Sequence, residues 1–259
     1  MKIAFISDIH GNLPALEDVL NGIDSQHPDA LYCLGDLVNQ NIWNNEVVEI
    51  IRHRNIPTVR GNHDDGIGFG KSVFKFSYTL PEVRQWGIEA IAYTLRTIKP
   101  ENASFLGHLP LFLRLEIPHA GDPPFTILLV HGSPRSLNDT ILRHMLKRDY
   151  LHFLDLAQTD ALICGQAHTP YHFTYPSEGT TPVTYRHLLN PGSVGQPKDG
   201  DWRACHLLLH LDTSRDLRTD RDAVRSDFYR TPYDIDKAVK GIRHSELSTY
   251  FGGCLLMGQ

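Results

Sequence analysis

Cysteine is scarce in this chain and unpaired in its spacing. Cys33, Cys164, Cys205 and Cys254 are the four present, and they form no disulfide pattern; they read as reduced, buried thiols of a cytoplasmic protein. Long apolar runs are missing too, since none approaches the ~20 residues of a membrane span. No basic n-region or cleavage site precedes the first strand, so no signal peptide is expected. Positive charge is in deficit, with a formal net charge of −5. That argues against a protein that coats nucleic acid, although a local basic cleft stays open. Internal repeats, linkers and low-complexity tracts are also absent. What remains is an ordinary globular composition, 41% hydrophobic and 21% charged over 259 residues, which we read as a single domain spanning 1–259. Histidine is the exception, with 15 copies.

The run from Lys2 to Ser7 is mostly apolar and β-favouring, and reads as a buried strand. It ends in Asp8 and His10, two metal-ligand side chains that point the same way in extended chain, followed by Gly11. Asn12 then opens a helix pattern with Pro14 in its first turn and a stripe of Leu13, Leu16, Val19, Leu20 and Ile23. Asn12 could cap that helix or hydrogen-bond a phosphate at its N-terminus. Alone, an Asp and a His at a strand end serve as well for capping as for metal binding.

Ala30–Leu34 reads as a second strand ending in Gly35 and Asp36. A helix over Asn44–Arg54 follows, and Ile56–Arg60 reads as a third strand ending in Gly61, Asn62, His63 and Asp64. Three such units suggest a parallel α/β core. From about 65 to 110 the pattern breaks into a loop carrying Phe69, Phe74, Phe76 and Tyr78 and a helix over Glu82–Ile98 with Trp86, ended by Pro100. This reads as a helical insertion, either overhanging the site or serving only as packing. The aromatics could stack on a nucleobase, though core packing is their default. Strands are expected over Phe112–Ile117 and Phe125–Val130, the latter running into His131. Helical segments should occupy about 137–147 and 149–157. Ala161–Cys164 reads as a strand ending in Gln166 and His168, Tyr171–Tyr175 and Val183–Leu189 as a hairpin, and Arg203–Leu211 as a strand. Asp212–Arg225 reads as a solvated turn. Thr231–Asp234 reads as a capping box with Pro232 at its first helical position, opening a C-terminal helical extension over about 231–259.

Five strand ends therefore carry ligand-capable residues, and glycine accompanies four of the clusters, where it lets the backbone turn close to an ion. The order D-x-H, G-D, G-N-H-D, H and G-x-x-H over residues 1–205 resembles the calcineurin-like metallophosphoesterase superfamily. The segments from His131 to Pro134 and from Asn190 to Pro197 resemble its prokaryotic small-phosphoesterase branch, related to dinucleoside tetraphosphatases. The resemblance implies a four-layer α/β/β/α sandwich of two mixed sheets flanked by helices. It also implies two divalent ions, one held by Asp8, His10 and His168, the other by Asn62, His131 and Gln166, with Asp36 bridging. Mn suits these oxygen and imidazole ligands best, with Fe, Zn, Ni or Mg as alternatives. Such a pair clamps a phosphoryl group and generates a hydroxide nucleophile. His63 would protonate the leaving oxygen or stabilise the transition state. Asn12, Asn62, His63 and Arg203 are the substrate-contact candidates.

Two departures stand out. Gln166 replaces the first histidine of the family's G-H-x-H, and its oxygen is a weaker ligand than imidazole for Zn or Ni. Asn39 sits where phosphoprotein phosphatases carry an acid; an amide can orient His63 but cannot stabilise its cation. The expected activity is hydrolysis of small-molecule or nucleotide phosphodiesters or phosphomonoesters. A weakly active or non-catalytic phosphate-binding module is the alternative, and a protein phosphatase a more distant one. His172 and His187 are expected to neighbour each other across a hairpin, and His206 and His210 to be surface or packing residues.

Overall fold

Strand β1 (Lys2–Ile6) is apolar from Ile3 to Ile6 because both of its faces are covered there. In the computed structural model, which describes residues 1–74, 80–177, 179 and 181–259, β1 lies between two different neighbours. It pairs parallel with β2 (Ala30–Cys33) and antiparallel with β8 (Ala204–Leu211), which in turn pairs antiparallel with β9 (Val224–Thr231). A second sheet runs in the order β3 (Phe112–Ile117), β4 (Phe125–Val130), β5 (Ala161–Cys164), β7 (Tyr185–Asn190), β6 (Tyr171–Pro176). Its three central strands are parallel and its two edges antiparallel.

The side-chain alternation of strands builds the layers. Ile3, Phe5, Leu207 and Leu209 face Ile127, Leu129, Ile163 and Leu189 across the space between the sheets. Their alternates Ala4, Ile6 and Leu208 face outward, beneath α1 (Leu13–Gln26), α2 (Asn44–His53), α7 (Ile235–Arg243) and α8 (Thr249–Met257). On the other side Leu128, Leu162 and Leu188 pack against Phe153 and Leu154 of α6 (Lys147–Ala157). The result is the expected α/β/β/α sandwich of two mixed sheets. Each fully buried Leu, Ile or Phe contributes about 1.5–3 kcal/mol of transfer free energy, so the two helix-covered faces and the layer between the sheets together hold the sandwich. No helix among the described residues is long and apolar enough to cross a membrane.

Several local expectations need correction. The segment 56–60 makes only an isolated parallel bridge, Cys33 to Thr58, because Pro57 and the turn at Gly61 leave no room for a ladder. The parallel α/β run accordingly stops at β1 and β2. Of the helix expected over about 137–147, residues 137–146 form turns and irregular chain, and only Lys147 is helical, as the start of α6. The stretch read as a solvated turn to Arg225 instead ends in a short 3-10 turn (Arg221–Ala223) and enters β9 at Val224. As an edge strand, β9 alternates exposed Arg225, Asp227 and Tyr229 with more covered neighbours, and those polar residues hid its period. The C-terminal helix starts at Ile235, with Asp234 accepting from Lys237 N at 2.9 Å; Thr231 and Pro232 belong to the end of β9 and the loop after it. Two short helices were not foreseen, α3 (Asn62–Gly68) and α5 (Pro100–His108). Pro100 opens α5 at its first turn rather than closing the preceding α4 (Pro81–Thr97). Phe76 and Tyr78 lie outside the described residues. Trp86 packs on Tyr250, with ring centroids 5.0 Å apart.

Candidate metal centre

Strands β1, β2, β4 and β5 bring their C-terminal ends to one edge of the sandwich, and the turns that follow carry Asp8, His10, Asp36, His131, Gln166 and His168. These turns are strained. Asp8, His10, Asp36, Gln166 and His168 all have positive φ, between 48° and 62°, a region that costs a non-glycine residue about 1–2 kcal/mol. The surrounding backbone holds them there. Ile9 N and His10 N both donate to Asp36 O, at 2.8 and 3.0 Å, Gly195 N donates to Asp8 O at 3.0 Å, and Gly165 N to His131 O at 2.8 Å. At Gly61 a Cβ would overlap the Asp36 carboxylate, so only glycine lets α3 begin this close.

The ligand-capable atoms converge. Three overlapping sets have their atoms within 4.8 Å of one another: Asp8, His10 and His168; His10, Asp36 and His63; Asp8, Asp36 and His131. Asp36 belongs to two of them, and all six residues are buried. Asn62 joins through its Oδ1, 3.1 Å from His131 Nε2. Gln166 lies next to this group. Its backbone N donates to Asp8 Oδ2 at 3.1 Å, and its Oε1 is buried without a hydrogen-bond partner against Gly132.

The hydrogen bonds outside the cluster prepare it for a cation. His131 Nδ1 donates to Leu34 O at 2.7 Å and His168 Nδ1 to Gln196 O at 2.6 Å. That arrangement turns the Nε2 lone pairs inward, as in metal-bound histidines. His168 Nε2 then lies 3.1 Å from Asp8 Oδ1 and 3.3 Å from His10 Nε2, and His131 Nε2 lies 3.2 Å from Asp36 Oδ2. In the Asp8–His168 and Asp36–His131 contacts acceptor faces acceptor, which needs a proton or a metal ion between the two. Asp8 Oδ1 and His10 Nδ1 have no hydrogen-bond donor, an arrangement too costly to keep buried without a purpose. The residues fit divalent cations.

The electrostatics agree. Burial alone would raise Asp8, but the adjacent His168 and His131 imidazoles bring it down to about 2. Burial also opposes ionisation of Asp36, yet His131 and His63 hold it below the usual carboxylate range. Burial depresses His131, and the Asp36 carboxylate overrides that to lift it to about 10. Burial pushes His10 well down and takes His63 to about 4.

His63 is oriented by an amide. Its Nδ1 lies 2.9 Å from Asn39 Nδ2, whose Oδ1 lies 3.2 Å from the Thr94 hydroxyl. With the amide placed by that network, Nδ1 accepts and the proton sits on Nε2, which is 4.0 Å from Asp36 Oδ2. Phe74 meets the ring edge-on, with centroids 5.2 Å apart.

Two of the substrate-contact candidates are engaged elsewhere. Asn12 is fully buried; its Oδ1 caps α1 at Ala15 N and its Nδ2 donates to Gly195 O at 2.9 Å. Arg203 makes a two-point pair with Asp201, at 3.0 and 2.7 Å. Asp64 escaped sequence reasoning as a functional residue, though it closes the G-N-H-D motif. Its carboxylate accepts from Asp36 N at 2.8 Å, Leu37 N at 2.8 Å and Gly61 N at 2.9 Å, clamping the turn that presents Asp36. Burial beside the Asp36 charge raises its pKa to about 7. Ser7 likewise donates to Asp8 Oδ2 at 2.6 Å. The segment from Asn190 to Pro197 proves to be a buried support: Ser193 Oγ donates to Asp8 O at 2.7 Å, and Asn190 Nδ2 to Gly165 O at 2.8 Å.

A double sandwich with carboxylates and imidazoles gathered on its strand ends defines a metal-binding α/β protein of the phosphoesterase type. The model of the calcineurin-like phosphoesterase superfamily domain matches residues 1–214, and the chain belongs to that superfamily. It is 32% identical over 266 residues to the uncharacterized protein MJ0912 of Methanocaldococcus jannaschii, covering 99% of this chain and 98% of that one. Among solved structures it resembles a metallophosphoesterase from Sphaerobacter thermophilus, with 28% identity, a TM-score of 0.73 and coverage of 100% and 99%. It shares its fold with the hypothetical protein PH1004 from Pyrococcus horikoshii OT3, at 21% identity and a TM-score of 0.77, with coverage of 100% and 98%.

Proposed function

We propose that this protein is a divalent-metal-dependent phosphoesterase acting on small phosphorylated or nucleotide esters. The observation that carries the reading is the pair of acceptor-to-acceptor contacts, Asp8 with His168 and Asp36 with His131, in a buried cluster that includes His10, within a superfamily of phosphoesterases. In this reading Asp8, His10 and His168 would hold one ion, Asn62, His131 and Gln166 would hold a second, and Asp36 would serve both. When bound, such ions polarise a phosphoryl group and lower the pKa of a water nucleophile. Mn is the favoured ion for a ligand set that includes two amide oxygens.

The chain's own residues supply the rest. Ser7, Asp64 and Ser193 fix the carboxylate-bearing turns, so the ligands need little rearrangement on binding. His63 offers Nε2–H toward the reacting phosphate. Its depressed pKa and its amide partner keep it neutral, which supports a role as a hydrogen-bond donor to the developing charge over one as a strong acid. The low exposure of His10, Asp36, His63 and His131 limits competing water.

The test is turnover of a chromogenic phosphomonoester and the matching diester by metal-stripped protein, with Mn²⁺ restored. Mn²⁺-dependent hydrolysis of either is the expected result. Silence with Mn²⁺, Ni²⁺ and Zn²⁺ would overturn the reading in favour of a phosphate-binding module, for which the buried, unpartnered Gln166 Oε1 is the one favouring feature.

A further inference from the structure

Of the aromatic loop that follows α3, one ring returns to the metal centre. The loop folds back on the helix it leaves. Gly70 N donates to Ile67 O at 3.1 Å and Lys71 N to Gly66 O at 2.8 Å, and the Lys71 ammonium pairs with Asp65. Phe69 adds a cation–π contact with Arg60, 5.1 Å from the guanidinium carbon to the ring centroid. The chain is thereby set to bring Phe74 back over α3. His63 and Gly66 are three residues apart in that helix and so share one of its faces. A Cβ at Gly66 would overlap the Phe74 ring, and the same ring meets the His63 imidazole edge-on, with centroids 5.2 Å apart and planes at 87°.

That contact completes the enclosure of His63. Asn39 Nδ2 lies 2.9 Å from its Nδ1, and the His10 ring also meets it edge-on, with centroids 4.9 Å apart and planes at 89°. The His63 side chain is left 7% exposed. One hydrogen bond sets the direction of an imidazole but lets it swing about that bond; packing on the ring removes the remaining freedom. Phe74 is itself half-buried and packed on the helix-side core, so it has backing of its own. A phenyl ring offers no proton and no metal ligand, so any effect on the chemistry must pass through His63 or through the bound ester. With its contacts to Gly66 and His63 both made inside the protein, the geometry favours the first.

We propose that Phe74 is a positioning residue for His63, bracing the imidazole so that Nε2 keeps its direction toward the reacting phosphate, and that Gly66 makes room for the ring that does so. The inference rests on the phosphoesterase reading above and adds a residue outside the metal cluster on which turnover depends. Misplacing a catalytic group by about 1 Å costs about 10²-fold in rate, which sets the scale of the effect.

The experiment compares Mn²⁺-loaded wild type, Phe74→Ala, Gly66→Ala, His63→Ala and the double variant Phe74→Ala/His63→Ala. Turnover of p-nitrophenyl phosphate and its bis ester is measured, with Mn²⁺ affinity by calorimetry. In parallel, modification of His63 by diethyl pyrocarbonate is followed by peptide mass spectrometry. Phe74→Ala should lower kcat about 10–100-fold, with KM and Mn²⁺ affinity within about threefold of wild type. It should also speed modification of His63 by about tenfold or more while His172 and His187 stay slow, because a buried group reacts only when local motion opens it. Gly66→Ala should act the same way by displacing the ring, although alanine suits a helix better than glycine. With His63 already alanine, Phe74→Ala should cost little more, since the brace has nothing left to hold. A higher KM at unchanged kcat would make the ring a substrate contact and overturn the proposal. Full additivity with His63→Ala, or an unchanged rate of modification at His63, would overturn it too. If wild type turns over neither ester, the phosphoesterase reading fails, and the modification rates still decide whether Phe74 braces His63.

Discussion

Two regions of this molecule bury histidines in contact with each other, and only one resembles a metal centre. At the strand ends, His10 and His168 face each other at 3.3 Å with the carboxylates of Asp8 and Asp36 among them. Between the two sheets, His172 Nε2 lies 3.0 Å from His187 Nδ1 and His172 Nδ1 lies 2.8 Å from Ser226 Oγ, joining them through neutral groups. The first region has left-handed backbone at Asp8, His10, Asp36 and His168; in the second, His172 and His187 sit in regular ladders of β6 and β7. The first leaves acceptors opposed, and the second closes most of its hydrogen bonds internally. Histidine alone therefore says little. Carboxylates placed against inward lone pairs, on turns that cost free energy to hold, separate a candidate site from packing.

The largest expected effect comes from making the first region more like the second. Asp36→Asn keeps the shape but removes the negative charge shared by two of the ligand sets. Metal affinity measured by calorimetry should fall at least tenfold, and Mn²⁺-dependent turnover by about 10³-fold or more. His63→Ala should leave metal affinity close to that of wild type while lowering kcat by about 10²–10⁴-fold. Turnover left intact in both variants would show that the chemistry lies elsewhere.

How much of this was legible in the sequence follows the same division. The D-x-H, G-D and G-N-H-D motifs pointed to Asp8, His10, Asp36, Asn62 and His63 because short turns fix where their side chains go. The four-layer architecture followed from the resemblance those motifs carry. Asp64 went unremarked. It acts on backbone amides of residues 36, 37 and 61, a relation visible only when two loops are in contact. The strand β9 was masked by an edge face carrying Arg225 and Asp227. The turns over 137–146 resembled a helix because Leu137, Ile141 and Leu142 fall at helical spacing; in the structure Ile141 is buried beside Tyr171 without a helix around it.

An intermediate effect should follow from Gln166→His, which completes the family's G-H-x-H. An imidazole next to His131 should raise affinity for Zn²⁺ or Ni²⁺ by about 10–100-fold relative to Mn²⁺, with Mn²⁺-dependent turnover within about tenfold of wild type. Glutamine would then be a working ligand that tunes metal choice. A gain of several orders in turnover would instead mean that the natural site is crippled, which favours the binding-module reading.

The smallest effect tests the second region, through acid stability. Burial lowers His172 to about 4 and His187, which also faces the charge of Arg221, to about 3. Above about pH 6.5 both imidazoles are neutral in the folded and unfolded chains, so they impose no pH dependence. Below it the unfolded chain takes up protons that the folded chain refuses until pH nears 4 and then 3. The stability present above pH 6.5 is therefore lost as pH falls toward 4, by about 1 kcal/mol per pH unit for each histidine. In urea unfolding, His187→Gln should cost about 1 kcal/mol at pH 7.5, where only packing and the His172 contact are lost. By pH 5 that deficit should vanish or reverse, because the variant no longer excludes that proton. A constant deficit across this range would mean that His187 is protonated in the folded protein and that the inter-sheet cluster is charged. It would then resemble the metal centre more than its geometry indicates, and a divalent-ion titration of the wild type, expected to show no site there, would have to be repeated with the Asp36→Asn protein to find out whether ions bind between the sheets.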